Sequence, residues 1–238
     1  MKPTARLDAL LARKRVLESQ ARASGAVAAR LRELRSWQAA RLARTYADLQ
    51  REPRYALAVQ YFLGDLYGPQ DFADRDRDLT RAWRYLKRAL PAAALDVLGH
   101  AIELEVLTAE LDQAMVAGLD AGAVTGASYA AAYRAVGQRA ARARQVELVA
   151  AIGADLDRIV RHAWIALALR VAHAPAHAAG FGVLQDFLER GFAAFHRMQG
   201  AGRFLQAIRE RETRVMDAIF AGGEVPLGAG TAPAEAAP

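Results

Sequence analysis

The sequence contains no cysteine. Its absence excludes thiol catalysis, disulfide bonds and metal sites built on thiolates. A chain without disulfides fits the reducing environment of the cytoplasm, which is the location that we expect.

Long apolar runs are also lacking. The most apolar stretch, Ala163 to Leu169, is far shorter than the ~20 residues that a membrane-spanning helix needs. The N-terminal residues carry charges throughout and lack the continuous apolar segment of a secretory signal. We therefore expect neither a transmembrane segment nor a cleaved leader.

Several functional motifs are missing from the sequence. It has no G-x-S-x-G, no P-loop and no G-x-G-x-x-G ahead of a predicted helix. It also has no helix-turn-helix, zinc-finger or RNP pattern. These absences leave catalytic residues unknown and favour a protein that is not an enzyme.

What the sequence does contain is a strong helical signal. Apolar residues make up 53% of the 238 positions, largely through Ala and Leu, which are good helix formers. Apolar residues recur at helical spacing in every long segment, and no segment has the alternation of a strand. We predict an all-α, single-domain bundle of about seven to eight helices over residues 1–221, followed by a disordered tail over 222–238.

Positive charge is concentrated in the first quarter of the chain. Residues 1–54 carry 13 Lys and Arg against five Asp and Glu, whereas the whole chain has a net charge of +6. A leucine stripe along residues 4–50 predicts one long helix, or two helices that meet near Ser24-Gly25. We expect region 1–50 to pack on the body as a basic amphipathic helix. The alternatives are binding of nucleic acid and peripheral contact with an anionic membrane.

The least generic stretch is YFLGDLYGPQDFADRDRD, residues 61–78. Gly68-Pro69 ends one helix, and Asp71 is placed to cap the next one. We predict that polar side chains brace this corner against the bundle, and we keep a functional site there as the alternative. These side chains are Asp65, Tyr67, Asp71, Arg75 and Asp76.

The string from Phe62 to Pro69, with Asp71-Phe72 and Arg75-Asp76 after it, resembles the FFLxDLYG signature of an uncharacterised proteobacterial family of helical proteins. Tyr61 stands where that signature has its first Phe. The later stretch 187–192, FLERGF, extends the resemblance. The resemblance implies a helical fold, and it implies no catalytic residue because the family has no established activity.

A polar line on the predicted central helix, 91–118, is the candidate for metal chemistry. His100 and Glu103 lie one turn apart, and Asp155 and His162 lie two turns apart on another predicted helix, 138–173. Ferritin-like sites use Glu-x-x-His pairs, which this chain lacks. We predict that Asp96, His100 and Glu103 face solvent or an arginine from 134–144 and bind no metal. The alternative is a non-haem metal site formed by His100, Glu103, Asp155 and His162.

Two further groups of residues could bind a ligand. His173 and His177 straddle Pro175, which is predicted to end its helix, so we do not expect them to share a helical metal-binding face. A group of phenylalanines is predicted to form core, and an apolar pocket between their helices is the alternative. They are Phe187, Phe192, Phe195 and Phe204.

These patterns leave three functional hypotheses open. The first is a non-enzymatic bundle that acts through a protein partner, self-association or an apolar ligand, without a cofactor. The second is a metal-dependent, ferritin-like or oxidase-like bundle that uses His100, Glu103 and His162. The third is nucleic-acid binding through the basic N-terminal helix.

Overall fold

The computed structural model describes residues 3–66, 78–83 and 92–225. None of these residues forms a strand, and they contain ten α-helices and one π-helix. Residues 78–83 are also helical. The helices are α1 Pro3–Arg22, α2 Gly25–Thr45, α3 Ala47–Arg51, α4 Ala56–Tyr61, the π-helix Phe62–Leu66, α5 Ala92–Gly118, α6 Gly126–Val136, α7 Arg139–Ile159, α8 Ala163–Ala178, α9 Gly182–Met198 and α10 Gly202–Phe220.

The predicted all-α, single-domain bundle is confirmed, with more helices than the seven to eight expected. The N-terminal region is two helices, because Ser24 starts α2 as its N-cap and its hydroxyl accepts a hydrogen bond from the amide of Val27. The predicted helix 138–173 is wrong, because the chain turns at residues 160–162 and begins α8 at Ala163. Helix α8 then continues through Pro175 to Ala178.

Helix α5 is central, as its two apolar sides predict. Ile102 and Met115 are completely or almost completely buried, and α1, α2, α6 and α7 all pack on this helix. Helix α1 runs parallel to α5 and inserts Leu7, Leu11 and Leu17 into a core cluster that also contains Ile102. Hydrophobic burial of this stripe explains why the basic N-terminal helices lie on the body.

Charged side chains also join α1 to α5. Arg6 binds Glu103, and Arg13 binds Glu110 with 2.7 Å between nitrogen and oxygen. Both pairs have the same sequence separation, which is what two parallel helices with matching registers require. Several basic side chains that could have bound nucleic acid are therefore paired with carboxylates of the body.

The C-terminal boundary of the bundle lies later than expected. The sequence predicts a disordered tail from residue 222, but the side chain of Val225 is buried in a core cluster with Leu34, Met115 and Tyr133. Arg134 donates a hydrogen bond to the carbonyl of Gly223 at 3.1 Å. Burial of one valine and one charge-assisted hydrogen bond explains the docking. The rest of the predicted tail, 226–238, lies outside the described residues.

A bidentate ion pair between α3 and α10 makes the free energy of unfolding depend on pH. Arg211 of α10 donates to both carboxylate oxygens of Asp48 in α3, at 2.7 and 2.6 Å, and this bond lowers the pKa of Asp48. The ionised form is favoured in the folded state, so its stabilisation is present above about pH 4. It is lost as the pH falls through the lowered pKa.

We expect Asp48→Asn to lower the unfolding free energy at neutral pH and to flatten its decline in acid. Urea denaturation at pH 7 and at pH 3 measures both effects, with Asp217→Asn, an exposed carboxylate paired with Arg139, as the matched control. Equal acid dependence in Asp48→Asn and the parent would contradict this assignment.

Candidate functional site

Helix α8 is the one apolar helix that buries none of its residues within the described chain. Its outer face carries Trp164, Leu167 and Val171, whose exposed fractions are 61%, 56% and 66%. Small residues complete this face, and every member is exposed and uncharged. We call it the α8 face: Trp164, Leu167, Ala168, Val171, Ala174, Pro175 and Ala178.

The fold concentrates exposed apolar surface at this place. Seven large apolar side chains are exposed in the part of the chain that the structure describes, and five of them lie on α8 and α9. The two on α9 are Val183 and Leu188. Contiguous apolar surface on a protein typically marks a binding region, whereas isolated exposed leucines need no explanation.

A tight turn holds α8 against α9 as an antiparallel hairpin. Gly180 has a φ of +76°, a conformation that glycine adopts without steric cost. Gln185, which is buried, donates to the carbonyl of Leu169 and to the carboxylate of Glu189, both at 2.8 Å. Arg81 from segment 78–83 covers the turn, with its guanidinium 4.9 Å from the centre of the Phe181 ring.

Histidines and carboxylates meet along the seam of this hairpin. His173 Nδ1 lies 2.9 Å from Glu189 Oε1, and His177 Nε2 lies 2.9 Å from Asp186 Oδ1. Hydrogen bonds from Gln185 and His173 lower the pKa of Glu189, so its carboxylate is ionised. The expectation that Pro175 would separate the two histidines is wrong. Pro175 lies on the exposed α8 face, where water can bind the carbonyl that proline leaves without a partner.

A cleft opens beside the histidines. Its volume is about 390 Å³, and it lies between the hairpin and segment 78–83. Charged groups line both sides of it, together with apolar surface. It is lined by Asp78, Arg81, His177, Gly180, Gly182, Val183 and Asp186.

The corner predicted from the sequence lies mostly outside the described residues. This applies to Tyr67, Asp71, Arg75 and Asp76 and to the side chain of Asp65, whose backbone belongs to the π-helix. The start of the signature stretch is described. Tyr61 packs on Phe187, with 5.4 Å between ring centres, so the two stretches that carry the resemblance are in contact.

The polar line on α5 has basic and acidic partners. Arg144 donates to Glu103 at 2.9 Å, as predicted for an arginine from 134–144, and Arg6 binds the same carboxylate. His100 Nδ1 lies 3.9 Å from Asp155, and that carboxylate also binds Arg158. His162 is exposed at the residue before α8. Because two guanidinium groups occupy Glu103, the set His100, Glu103 and His162 is a poor ligand set for a metal.

The four predicted phenylalanines lie in or against the core cluster around Tyr55, which we call the first core cluster. Phe195 and Phe204 are buried, and Phe187 and Phe192 pack against the cluster from its edge. Phe204 stacks on Tyr55, with 6.0 Å between ring centres. The rings thus have protein neighbours, and the apolar ligand between them stays a prediction.

Sequence patterns did not reveal polar contacts that join α2 to α5 and to α10. Arg41 donates to Glu212 at 2.7 Å, and the hydroxyl of Tyr46 donates to the same oxygen at 2.8 Å. Near them, Arg35 and Gln38 donate to Asp112, whose pKa is raised by burial. These contacts join residues up to 171 positions apart, so the periodicity of a single helix cannot predict them.

A family model for a domain of unknown function, DUF8198, matches residues 17–226. The matched range contains the signature stretch, the α8 face and the histidine cluster. No curated protein and no solved structure matches the chain. Within residues 3–66, 78–83 and 92–225, no helix combines the length and apolar character that crossing a membrane requires.

Proposed function

We propose that this chain, which belongs to the DUF8198 family of domains of unknown function, is a non-enzymatic helical scaffold that binds protein through the α8 face. One observation carries the proposal: an apolar helix that a folded bundle leaves exposed along its whole outer side. A helix of this composition ordinarily buries its apolar stripe. A protein surface that covered the α8 face would supply the missing burial.

The occupant that fits the α8 face best is a second copy of the chain. Large side chains, Trp164, Leu167 and Val171, occupy its first half, and small ones, Ala174 and Ala178, occupy its second half. In a two-fold symmetric, antiparallel pair, the large half of one helix meets the small half of the other. The face is therefore complementary to itself, with Val171 near the symmetry axis.

Electrostatics permits such a pairing. The α8 face carries no charged side chain, although the chain as a whole has a net charge of +6. Two copies can approach along this face without bringing like charges together at its centre. Helix α8 has 16 residues and offers a contact about 24 Å long. That length suits a modest, reversible interface.

Sedimentation over a concentration series tests the proposal. We expect the parent chain to form dimers and Val171→Glu to weaken dimerisation by at least about tenfold, because two buried carboxylates would meet at the axis. Val16→Glu, an equally simple change at a valine of α1 that is 47% exposed, should leave dimerisation unchanged. Both variants should fold, since each side chain is exposed to solvent and neither belongs to the buried core.

Because the chain has no cysteine, a single introduced cysteine can test whether residue 171 of the two copies meets at the symmetry axis. Val171→Cys should form an intermolecular disulfide rapidly, since facing positions of packed helices approach the Cα separation of about 4.4–6.8 Å that a disulfide needs. Val16→Cys should form it slowly. A chain that stays monomeric at every concentration, with equal rates for the two cysteines, would overturn self-association. Binding of anionic vesicles by that monomer would assign the α8 face to a lipid surface instead.

A further inference from the structure

Two histidines and two carboxylates converge on the inner side of α8, away from the α8 face. His173 and His177 lie one helical turn apart, and Asp186 lies across the seam on α9. One ligand atom from each of these three residues lies within 4.8 Å of the other two. The two imidazole rings lie 4.5 Å apart between centres, so both rings point toward one region.

We propose that His173, His177 and Asp186 bind a divalent transition-metal ion, with Zn²⁺ as the best fit. Two imidazole nitrogens and one carboxylate oxygen form a common zinc ligand set, and a water molecule completes four-coordination. Magnesium and calcium prefer ligand sets made of oxygen alone. Ligand atoms that share a zinc ion at about 2 Å lie roughly 3.3 Å apart. The His177–Asp186 contact of 2.9 Å is already close to that separation.

Glu189 acts as a positioning residue in this site. Its carboxylate accepts a hydrogen bond from His173 Nδ1 at 2.9 Å and a second one from the side-chain amide of Gln185. Carboxylates that bind the second nitrogen of a metal-bound histidine fix the orientation of the ring. This arrangement leaves Nε2 of His173 for the metal ion.

The lack of a side chain at Gly182 leaves room for the ring of His177. A Cβ atom at residue 182 would lie 2.7 Å from Nδ1 and 2.9 Å from Cε1 of His177. The ring of His177 therefore rests directly on the backbone at the start of α9, where any larger residue would displace it. The cleft of about 390 Å³ reaches His177 and Asp186 from solvent and gives an ion a path to the site.

The alternative is that these residues are only two histidine–carboxylate pairs that fasten α8 to α9. That alternative predicts a contribution to stability without any response to metal. The two explanations separate in a titration of the chelator-treated full-length protein with zinc chloride alone.

We expect one Zn²⁺ per chain by competition with a chromophoric chelator, and a higher melting temperature in its presence. His173→Ala and His177→Ala should each weaken zinc binding at least tenfold, and Glu189→Gln should weaken it less. His162→Ala, an exposed histidine just before the same helix, is the matched control and should bind zinc like the parent. Gly182→Ala keeps every ligand and should still weaken binding, because the added methyl group displaces His177.

A visible absorption spectrum typical of four-coordinate Co²⁺, lost in His177→Ala, would support the same ligand set. The proposal is overturned if the folded parent chain binds no zinc, or if His162→Ala reduces binding as much as His177→Ala. Self-association through the α8 face does not depend on this result.

Discussion

Replacing Glu212 with Ala should lower the unfolding free energy by about 3–5 kcal/mol, the cost of leaving a buried charge without its partner. Glu212 accepts from the guanidinium of Arg41 at 2.7 Å and from the hydroxyl of Tyr46 at 2.8 Å. Arg41 is buried at 7% exposure, and its Nε already lacks a hydrogen-bond partner among the described residues. Among the described residues, Glu212 is the carboxylate that Arg41 pairs with, so its removal leaves a buried cation.

Two variants separate charge from shape at residue 212. Glu212→Gln keeps an acceptor oxygen and should cost less than Glu212→Ala, because only the charge is lost. Glu147→Ala removes the exposed partner of Arg209, a surface pair expected to contribute less than about 1 kcal/mol. Urea denaturation gives all three values. A loss in Glu212→Ala as small as that in Glu147→Ala would show that Arg41 finds another partner.

Replacing Gly191 with Leu should lower the unfolding free energy by about 2–3 kcal/mol through overpacking. A Cβ atom at residue 191 would lie 2.8 Å from the hydroxyl oxygen of Tyr61 and 2.9 Å from Cζ. Tyr61 is buried and packs on Phe187, so its ring has little room to move. Helix α9 must therefore shift away from α4, which opens the first core cluster.

Gly202 offers the matched control for this prediction. It is also a helical glycine, at the start of α10, and an added Cβ would meet no atom within 4 Å. Gly202→Leu should therefore leave stability unchanged or raise it slightly, since leucine favours helix over glycine. Thermal and urea denaturation of the two variants would contradict the prediction if Gly191→Leu proved as stable as Gly202→Leu.

The contact between Tyr61 and Gly191 illustrates what local sequence patterns can and cannot predict about the fold. The sequence marked the stretch beginning at Tyr61 and the stretch 187–192 as related to one family signature, but it gave no distance between them. The structure brings α4 and α9 together, and the glycine permits the close approach. The polar corner after residue 66 lies outside the described residues, so its role stays a prediction.

Periodicity and residue composition alone determined the helical class, the single bundle and the central position of α5. These features depend on local propensity and on which residues of one segment share a face, and both are present in the sequence. The sequence also predicted that Glu103 faces solvent or an arginine of 134–144, and Arg144 donates a hydrogen bond to it. Sequence reasoning failed at Pro175, because a proline removes one hydrogen bond from a helix without always ending it, and α8 continues to Ala178.

Only the tertiary structure decided which faces are covered and which remain exposed. From the sequence, α8 is an apolar segment like any core helix. Among the described helices its main packing partner is α9, and its outer side stays exposed. The pairing of His177 with Asp186 and that of Arg41 with Glu212 likewise join separate helices. Such contacts are set by how helices cross and by the register between them. A one-dimensional pattern does not contain either quantity, which is why the candidate sites of this chain emerged from its fold.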